Sequence, residues 1–355
     1  MSPEILLAYF EKLTFKRYQD LLRVLSSLQD IWTAPATVFQ RVGWKDDLIT
    51  EFFTWRKNLD ETKIANDLET NNITCITLND KSFPRRLKEI SDPPLCLFIR
   101  GTLKETLSIA VVGPRQCSAY GQEVVFKLVP PLALSGLAIV SGMAYGIDGM
   151  AHAATLSVGG YTIAVLGSGV DDASIQPTTH RELALQIIDC GGAVISQYPP
   201  GIAATAYSFP KRNRIIAGLS VGTLIIEAGE SSGSLITANL ALDYNREVFA
   251  VPQNITSPTS IGVNRLIQKG AQVVTEAQDI LTALNIEQTK IIQKSIEFSP
   301  ETPTEIALWP LLSNEPNHID LLIKHSGFSS REVNSTLTFL EIKGYVKNLG
   351  GMMYI

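Results

Sequence analysis

Histidine and cysteine are scarce in this chain, four of each among 355 residues, and neither type is clustered. Cys75, Cys96, Cys117 and Cys190 stand singly in apolar contexts. That excludes a dense disulfide framework and the paired spacing of a zinc site, and it fits a reducing compartment. His152, His180, His318 and His325 form no ligand set, so no metal and no cofactor is expected. Long hydrophobic runs are missing too. No stretch approaches the roughly 18 apolar residues that a membrane helix needs, and the amino-terminal segment MSPEILLAYFEKL carries acids without a small-residue cleavage site. A cytoplasmic location without membrane attachment is expected. Bulk positive charge is also absent: 35 Asp plus Glu against 30 Lys plus Arg give a net charge of -5. Such a chain does not coat a polyanion through overall charge, so any nucleic-acid binding must be local. Two phosphate signatures are lacking as well. Nothing reads G-x-x-x-x-G-K-[ST], GPRQCSAYG cannot be written as G-x-G-x-x-G, and GSGVDD has Asp172 at the sixth position. ATP hydrolysis and dinucleotide chemistry therefore have no support.

One absence is local. From Gly201 to Ile226 there is no Asp or Glu, yet Lys211, Arg212 and Arg214 fall within four positions in SFPKRNRIIAGLS. Three cations without nearby counter-ions call for a partner from elsewhere, and phosphate is the natural candidate. The apolar run that follows predicts a helix, so the charges stand at its amino-terminal end, where unpaired N–H groups and the positive end of the dipole also favour an anion. Phe209 precedes Pro210 in the same segment and offers a flat face to a base. A solvated basic turn is the alternative for such a triplet taken alone.

Residues 1–70 read as a small helical, SAM-like domain with 9 Lys plus Arg and 11 Asp plus Glu, hence no basic face. From 71 to 286 the texture changes to short apolar runs, LSIAVVG, LAIVSG, YTIAVLGSG, GAVIS, VGTLIIEAG and REVFAVP, separated by glycine-rich turns and helical segments. Strands that do not alternate with polar residues are buried on both faces, which predicts a doubly wound parallel sheet of α/β type. A polar stretch, 287–304, reads as a linker. The tail, 305–355, has three helical segments followed by GYVKNLGGMMYI, read as two strands around a Gly350-Gly351 turn, the order of a winged helix. Val333, Leu337 and Leu340 repeat at core spacing in its third helix, and from 301 onward 4 Lys plus Arg stand against 6 Asp plus Glu. A major-groove reader needs cations, so a protein partner suits this domain better.

In a doubly wound sheet, ligands bind beyond the carboxyl ends of the strands. The loops there carry the candidate site. Gly113, Arg115, Ser118 and Tyr120 follow one strand, the glycine allowing close backbone approach and the guanidinium able to grip a phosphate. Gly142 lies in a second glycine loop, SGMAYGIDGMAHAATL, in which Asp148 and His152 are four apart. An acid/base pair there is one reading, and a capping Asp with a packed His the other. No Ser or Cys nucleophile is tied to His152, so no catalytic residue is assigned. Ser232, Gly233 and Ser234 open a further helix suited to phosphate. If Arg115, Lys211, Arg212 and Arg214 all neutralise phosphates, log K against log salt should fall with a slope near roughly -3 on single strands.

These residues in this order resemble the DprA/Smf family of bacterial DNA-processing proteins, from about Phe83 to Val274. GPRQCSAYG is similar to that family's G-S-R-x-x-S-x-Y-G loop, SGMAYGIDGMAHAATL to its S-G-x-A-x-G-I-D-x-x-A-H motif, and FPKRNRIIAGLS to its most specific signature, with EAGESSGSLITA and GVNRLIQKGA completing the pattern. Departures are Pro114 for a serine, Ile175-Gln176-Pro177 where Tyr-Pro is common, Gln197 for a glutamate, and Gln253-Asn254 for the glycine after Val-Pro. The resemblance implies an extended Rossmann-like fold and a sequence-tolerant single-stranded DNA-binding protein, a homodimer, that protects incoming DNA and loads the RecA recombinase in natural transformation, with Arg115, Lys211, Arg212 and Arg214 on phosphates and Phe209 and Asn213 nearest the bases. The alternative is an enzyme of the nucleotide phosphoribohydrolase type with Glu227 as its carboxylate, although EAGESSGSL does not reproduce the P-G-G-x-G-T-x-x-E loop of those enzymes.

Overall fold

The computed structural model describes residues 1–286, 300, 302–312, 317–342, 346 and 352–354. Two compact units divide the chain, Met1–Thr289 and Lys290–Ile355. The first is organised by nine strands: β1 Thr74–Thr77, β2 Cys96–Gly101, β3 Ser108–Val112, β4 Ala138–Ser141, β5 Thr162–Val165, β6 Ala193–Ser196, β7 Gly222–Ile225, β8 Glu247–Ala250 and β9 Gln272–Val273. They form one sheet in the order β1-β2-β6-β5-β4-β3-β7-β8-β9. From β6 to β9 all neighbours are parallel, while β1 and β2 add an antiparallel edge.

The apolar runs lie where non-alternating strands belong. Every residue of β3 is buried, with Ile109 and Val111 in the cluster under helices Ala119–Leu134 and Ile147–Leu156, and Ala110 and Val112 in the cluster that holds Ile215 and Ile216 of helix Ser208–Leu219. Each buried Ile or Val among them contributes roughly 1.5–3 kcal/mol, and covering both faces is what makes the sheet doubly wound. Starting at β3 the chain builds outward through β4, β5 and β6, then crosses back to place β7 on the other side of β3 and continues to β8 and β9. The reversal point therefore lies between β3 and β7, and their carboxyl ends diverge into a crevice.

Residues 3–70 form six helices, from Pro3–Ala8 to Glu61–Thr70, several of them opened by side-chain caps at Thr14, Ser27 and Asp60. Their centre is aromatic, with Phe39 and Phe52 at 0% exposure and ring centroids 5.0 Å apart. Leu7, Phe10 and Leu21 belong to the same buried cluster as Leu87 and the sheet-covering helix Ser208–Leu219, so this region shares its core with the sheet.

In the second unit, helices Pro303–Leu308, Ile319–Ser326 and Ser330–Ile342 surround Leu308, Ile319, Leu322, Val333, Leu337, Leu340, Val346 and Tyr354. Val333, Leu337 and Leu340 are all at 0% exposure, the result their spacing predicts. A strand β10, Asn317–His318, pairs antiparallel with β11, Met353–Tyr354. The sequence pattern shows β11 but not β10, which has only two residues and no alternation to reveal it. The Gly350-Gly351 turn and most of the 287–304 linker lie outside the described residues.

Candidate nucleic-acid interface

Gly113 follows β3 directly, and a Cβ there would run into the Ile147 side chain, so only glycine lets the helix Ile147–Leu156 approach the strand end this closely. Beyond it Arg115 is exposed. Ser118 is the N-cap of helix Ala119–Leu134, its Oγ accepting from the Gly121 amide at 3.1 Å. The same residue donates twice to Glu227 at the end of β7, through its amide at 2.9 Å and its hydroxyl at 2.5 Å, and Thr259 adds a third donor at 3.2 Å. Glu227 is completely buried under these bonds. They tie the loop after β3 to the loop after β7 and fix the two walls of the crevice. A Cβ on Gly121 would sit 2.6 Å from the Glu227 carboxyl carbon, which explains the glycine. Ser232 caps helix Gly233–Asp243 on the opposite wall.

Helix Ser208–Leu219 closes the crevice from the side. Pro210 occupies its first turn, where a missing N–H costs nothing. Its apolar residues Ile215, Ile216, Ala217 and Leu219 pack inward, and helical spacing then sends the three cations in different directions. Arg212 is only 4% exposed. Its Nη1 donates to the carbonyls of Gly142 and Val165, and its Nε to Asn213 Oδ1 at 3.2 Å. Burial pushes its pKa down to about 10 against the attraction of Asp148, and Arg115 lowers it further. Asp148, buried beside Gly142, is pushed above the usual carboxylate value by desolvation, which Arg212 and the turn amides of Ala144 and Gly142 oppose. Arg214, three residues past Lys211 and on the same helix side, pairs through Nε with Asp92 Oδ2 at 3.2 Å and donates Nη2 to Gln197 Oε1 at 2.5 Å. Lys211 is exposed. The four cations expected to face phosphate are therefore placed differently from one another. Arg212 and Arg214 find their counter-charges inside the protein, on residues remote in sequence, and Arg115 and Lys211 are the two left at the surface.

An open cleft of about 950 Å³ results, lined by Gly113, Arg115, Phe209, Arg212, Asn213, Ser232, Gly233 and Ser234 among others. The Arg115 guanidinium lies 4.9 Å from the centroid of the half-buried Phe209 ring, and that of Arg212 6.0 Å from it. This cation–ring stack is a flat, positively charged platform. Asn213 donates to the Gly233 carbonyl at 3.4 Å and so joins the helix to the Ser232–Ser234 turn. Of the other sequence-derived candidates, Gly142 serves by admitting Arg212 and Asp148, Ser118 by capping, and Tyr120 is 45% exposed with its hydroxyl on the Pro252 carbonyl at 3.1 Å. Lys211 and Arg214 line a neighbouring pocket instead. Two aromatics escaped the sequence reading: Tyr207, 86% exposed, and Tyr145, 48% exposed, each adjacent in the chain to a cleft-lining alanine, Ala206 and Ala144. An aromatic inside SGMAYGID and another before the basic triplet were the available signals.

Asp148 and His152 do not form an acid/base pair. His152 is fully buried, with Nδ1 2.7 Å from Thr162 Oγ1, whose hydroxyl donates to the Ile139 carbonyl; Nε2 has no partner among the described residues. Burial lowers its pKa to about 3, with His180 and Arg212 adding to the effect. Among the described residues no group of three or more His, Cys, Asp or Glu is placed to hold a metal ion, and no helix is long and apolar enough to cross a membrane.

Residues 74–285 match the family model of DNA recombination-mediator protein A, and residues 299–352 match that of the DprA winged helix domain. The chain belongs to the DprA/Smf family. Protein Smf of Escherichia coli is 36% identical over 340 residues, covering 94% of this chain and 90% of that protein. The X-ray structure of DprA from Streptococcus pneumoniae superposes with a TM-score of 0.68 at 33% identity, covering 79% of this chain and 98% of its own. DprA from Helicobacter pylori, whose structure was described for its single-stranded DNA binding mode, gives a TM-score of 0.54 at 30% identity and covers 60% of this chain and 95% of its own.

Proposed function

We propose that this DprA/Smf protein binds single-stranded DNA without sequence preference in the crevice between β3 and β7 and acts as a non-catalytic recombination mediator. The observation that carries the reading is the Arg115–Phe209 stack, with its centres 4.9 Å apart, standing over an open cleft walled by two helix starts. Arg115 in the cleft and the exposed Lys211 beyond its edge neutralise phosphates, the stack and Tyr207 receive bases, and the amides near Ser232, Gly233 and Ser234 supply further donors. Arg212, Asn213, Gly113, Gly142 and Ser118 hold this surface in shape. The single-strand binding described for the Helicobacter pylori relative supports the same ligand here. The family relationship supports the further reading that the protein, as a homodimer, protects incoming DNA and delivers the strand to the RecA recombinase, with the acidic winged helix of 305–355 serving a protein contact.

Glu227 speaks against the hydrolase alternative, because its carboxylate accepts three protein hydrogen bonds at 0% exposure and offers no face to a sugar. A gel shift with labelled single-strand and duplex oligonucleotides of equal length tests the proposal. Preference for the single strand is expected, and equal affinity overturns it. Incubation with nucleoside monophosphates should release no free base.

A further inference from the structure

A second pocket of about 330 Å³ lies where the N-terminal helical region meets the end of β6 and helix Ser208–Leu219. Its size is at the lower end of the roughly 300–1,000 Å³ usual for small-molecule sites. Phe15, Pro93 and Tyr198 contribute apolar faces to its lining, and Lys16, Lys211 and Arg214 contribute cations. Glu11 and Asp92 also line it, so the cations exceed the acids by three to two. Asp92 is already engaged, by Arg214 Nε at 3.2 Å and by the Tyr244 hydroxyl at 3.0 Å. Arg214 Nη2 is taken by Gln197, and its Nη1 is buried without a partner among the described residues. Burial also pushes the Arg214 guanidinium below its ordinary value, a cost that a nearby anion relieves. Position 197 decides the balance. A glutamate there would add a second carboxylate to Arg214 and cancel the excess positive charge, whereas Gln197 offers Arg214 a neutral acceptor and leaves the excess in place.

We infer that this pocket binds one nucleotide, its base against Phe15 or Tyr198 and its phosphate at Lys16, within the field of the buried Arg214, separately from the strand cleft at Arg115. Aromatic and proline faces lining the same pocket as cations suit a base joined to a phosphate. Two sources supply it: a free nucleotide, or the 5′-terminal nucleotide of a DNA strand whose body lies in the cleft on the far side of helix Ser208–Leu219.

Titration calorimetry of the full chain with dAMP, with deoxyadenosine, and with a short oligothymidylate bearing either a 5′-phosphate or a 5′-hydroxyl separates these sources. Wild type, Gln197→Glu, Lys16→Ala and Arg115→Ala are compared, melting curves confirming that each variant is folded. Gln197→Glu nearly preserves shape and adds one negative charge. It should weaken dAMP at least tenfold, and Lys16→Ala severalfold, while Arg115→Ala leaves dAMP binding unchanged and deoxyadenosine binds weakly throughout. If the strand end is the source, the 5′-phosphate tightens oligonucleotide binding in wild type and the gain disappears in Gln197→Glu. The inference is overturned if dAMP does not bind and the 5′-phosphate brings no gain, or if what binds is indifferent to Gln197→Glu. Loss of dAMP binding in Arg115→Ala alone would place the nucleotide in the cleft, overturning this pocket but not the strand reading. dAMP bound as expected with no oligonucleotide binding at all would do the reverse.

Discussion

Arg212→Met should damage the fold and not the DNA contacts. The substitution keeps most of the side chain's length and removes a guanidinium that is 4% exposed. Three consequences follow from the structure. The carbonyls of Gly142 and Val165 lose their donor, Asn213 loses a bond that orients it toward the Gly233 turn, and Asp148 loses the charge that offsets its desolvation. Removing one member of a buried charge pair costs about 3–5 kcal/mol. At about 2–4 °C per kcal/mol for a unit of this size, the melting temperature should drop by roughly 6 to 20 °C. Differential scanning calorimetry measures the drop, and the double variant Arg212→Met/Asp148→Asn should recover part of it, because the neutral amide needs no counter-charge. The salt dependence of DNA binding by the folded Arg212→Met protein should match wild type. A variant that melts like wild type and binds DNA with a flatter salt slope would refute the reasoning and return Arg212 to the phosphate contacts.

His152 sets an acid limit. Its pKa is about 3 in the folded state against about 6.5 unfolded, so the unfolded chain binds the proton more readily. The stability this residue contributes is complete above pH 6.5 and is lost as pH falls toward 3. Between pH 7 and 5 that amounts to about 2 kcal/mol, measurable by urea denaturation, and His152→Gln should flatten this part of the profile. Tyr207→Ala, at a residue 86% exposed, should leave the melting temperature unchanged and weaken single-strand binding by about 1–3 kcal/mol if a base stacks there; equal binding by fluorescence anisotropy would remove Tyr207 from the interface. A chain ending at residue 298 should keep single-strand affinity within a few-fold of the full chain, since the first compact unit closes by residue 289. Loss of most of the affinity by a folded truncation would make the winged helix part of the site.

The sheet was legible because β3 to β8 are short Ile, Val, Leu and Ala runs without alternation, a pattern only two-sided burial explains. The loops at the strand ends were legible because Gly113, Gly142 and Gly233 punctuate those runs. The fate of the cations was not. Arg212 meets the field of Asp148 and Arg214 pairs with Asp92 through contacts that cross the fold, and an acid-free stretch of sequence hides such partners. Helical spacing alone separates Lys211 and Arg214 from Arg212, but only the sheet beneath shows which side is interior. The shared core of the N-terminal helices and helix Ser208–Leu219 was hidden for the same reason, since residues 1–70 read as a separate helical domain and the spacing of Phe10 and Leu21 does not say what they pack against.

The salt dependence of single-strand binding tests the assignment of the strand to Arg115 and Lys211 most directly. Fluorescence anisotropy of a 5′-hydroxyl oligothymidylate over a sodium chloride series, with wild type, Arg115→Ala and Lys211→Ala, gives the number of phosphates neutralised. At about 0.7 per contact, two free cations predict a slope near -1.4 for wild type and near -0.7 for each variant. Variants that bind more weakly with the wild-type slope, or a matched duplex bound as tightly as the single strand, would contradict the account.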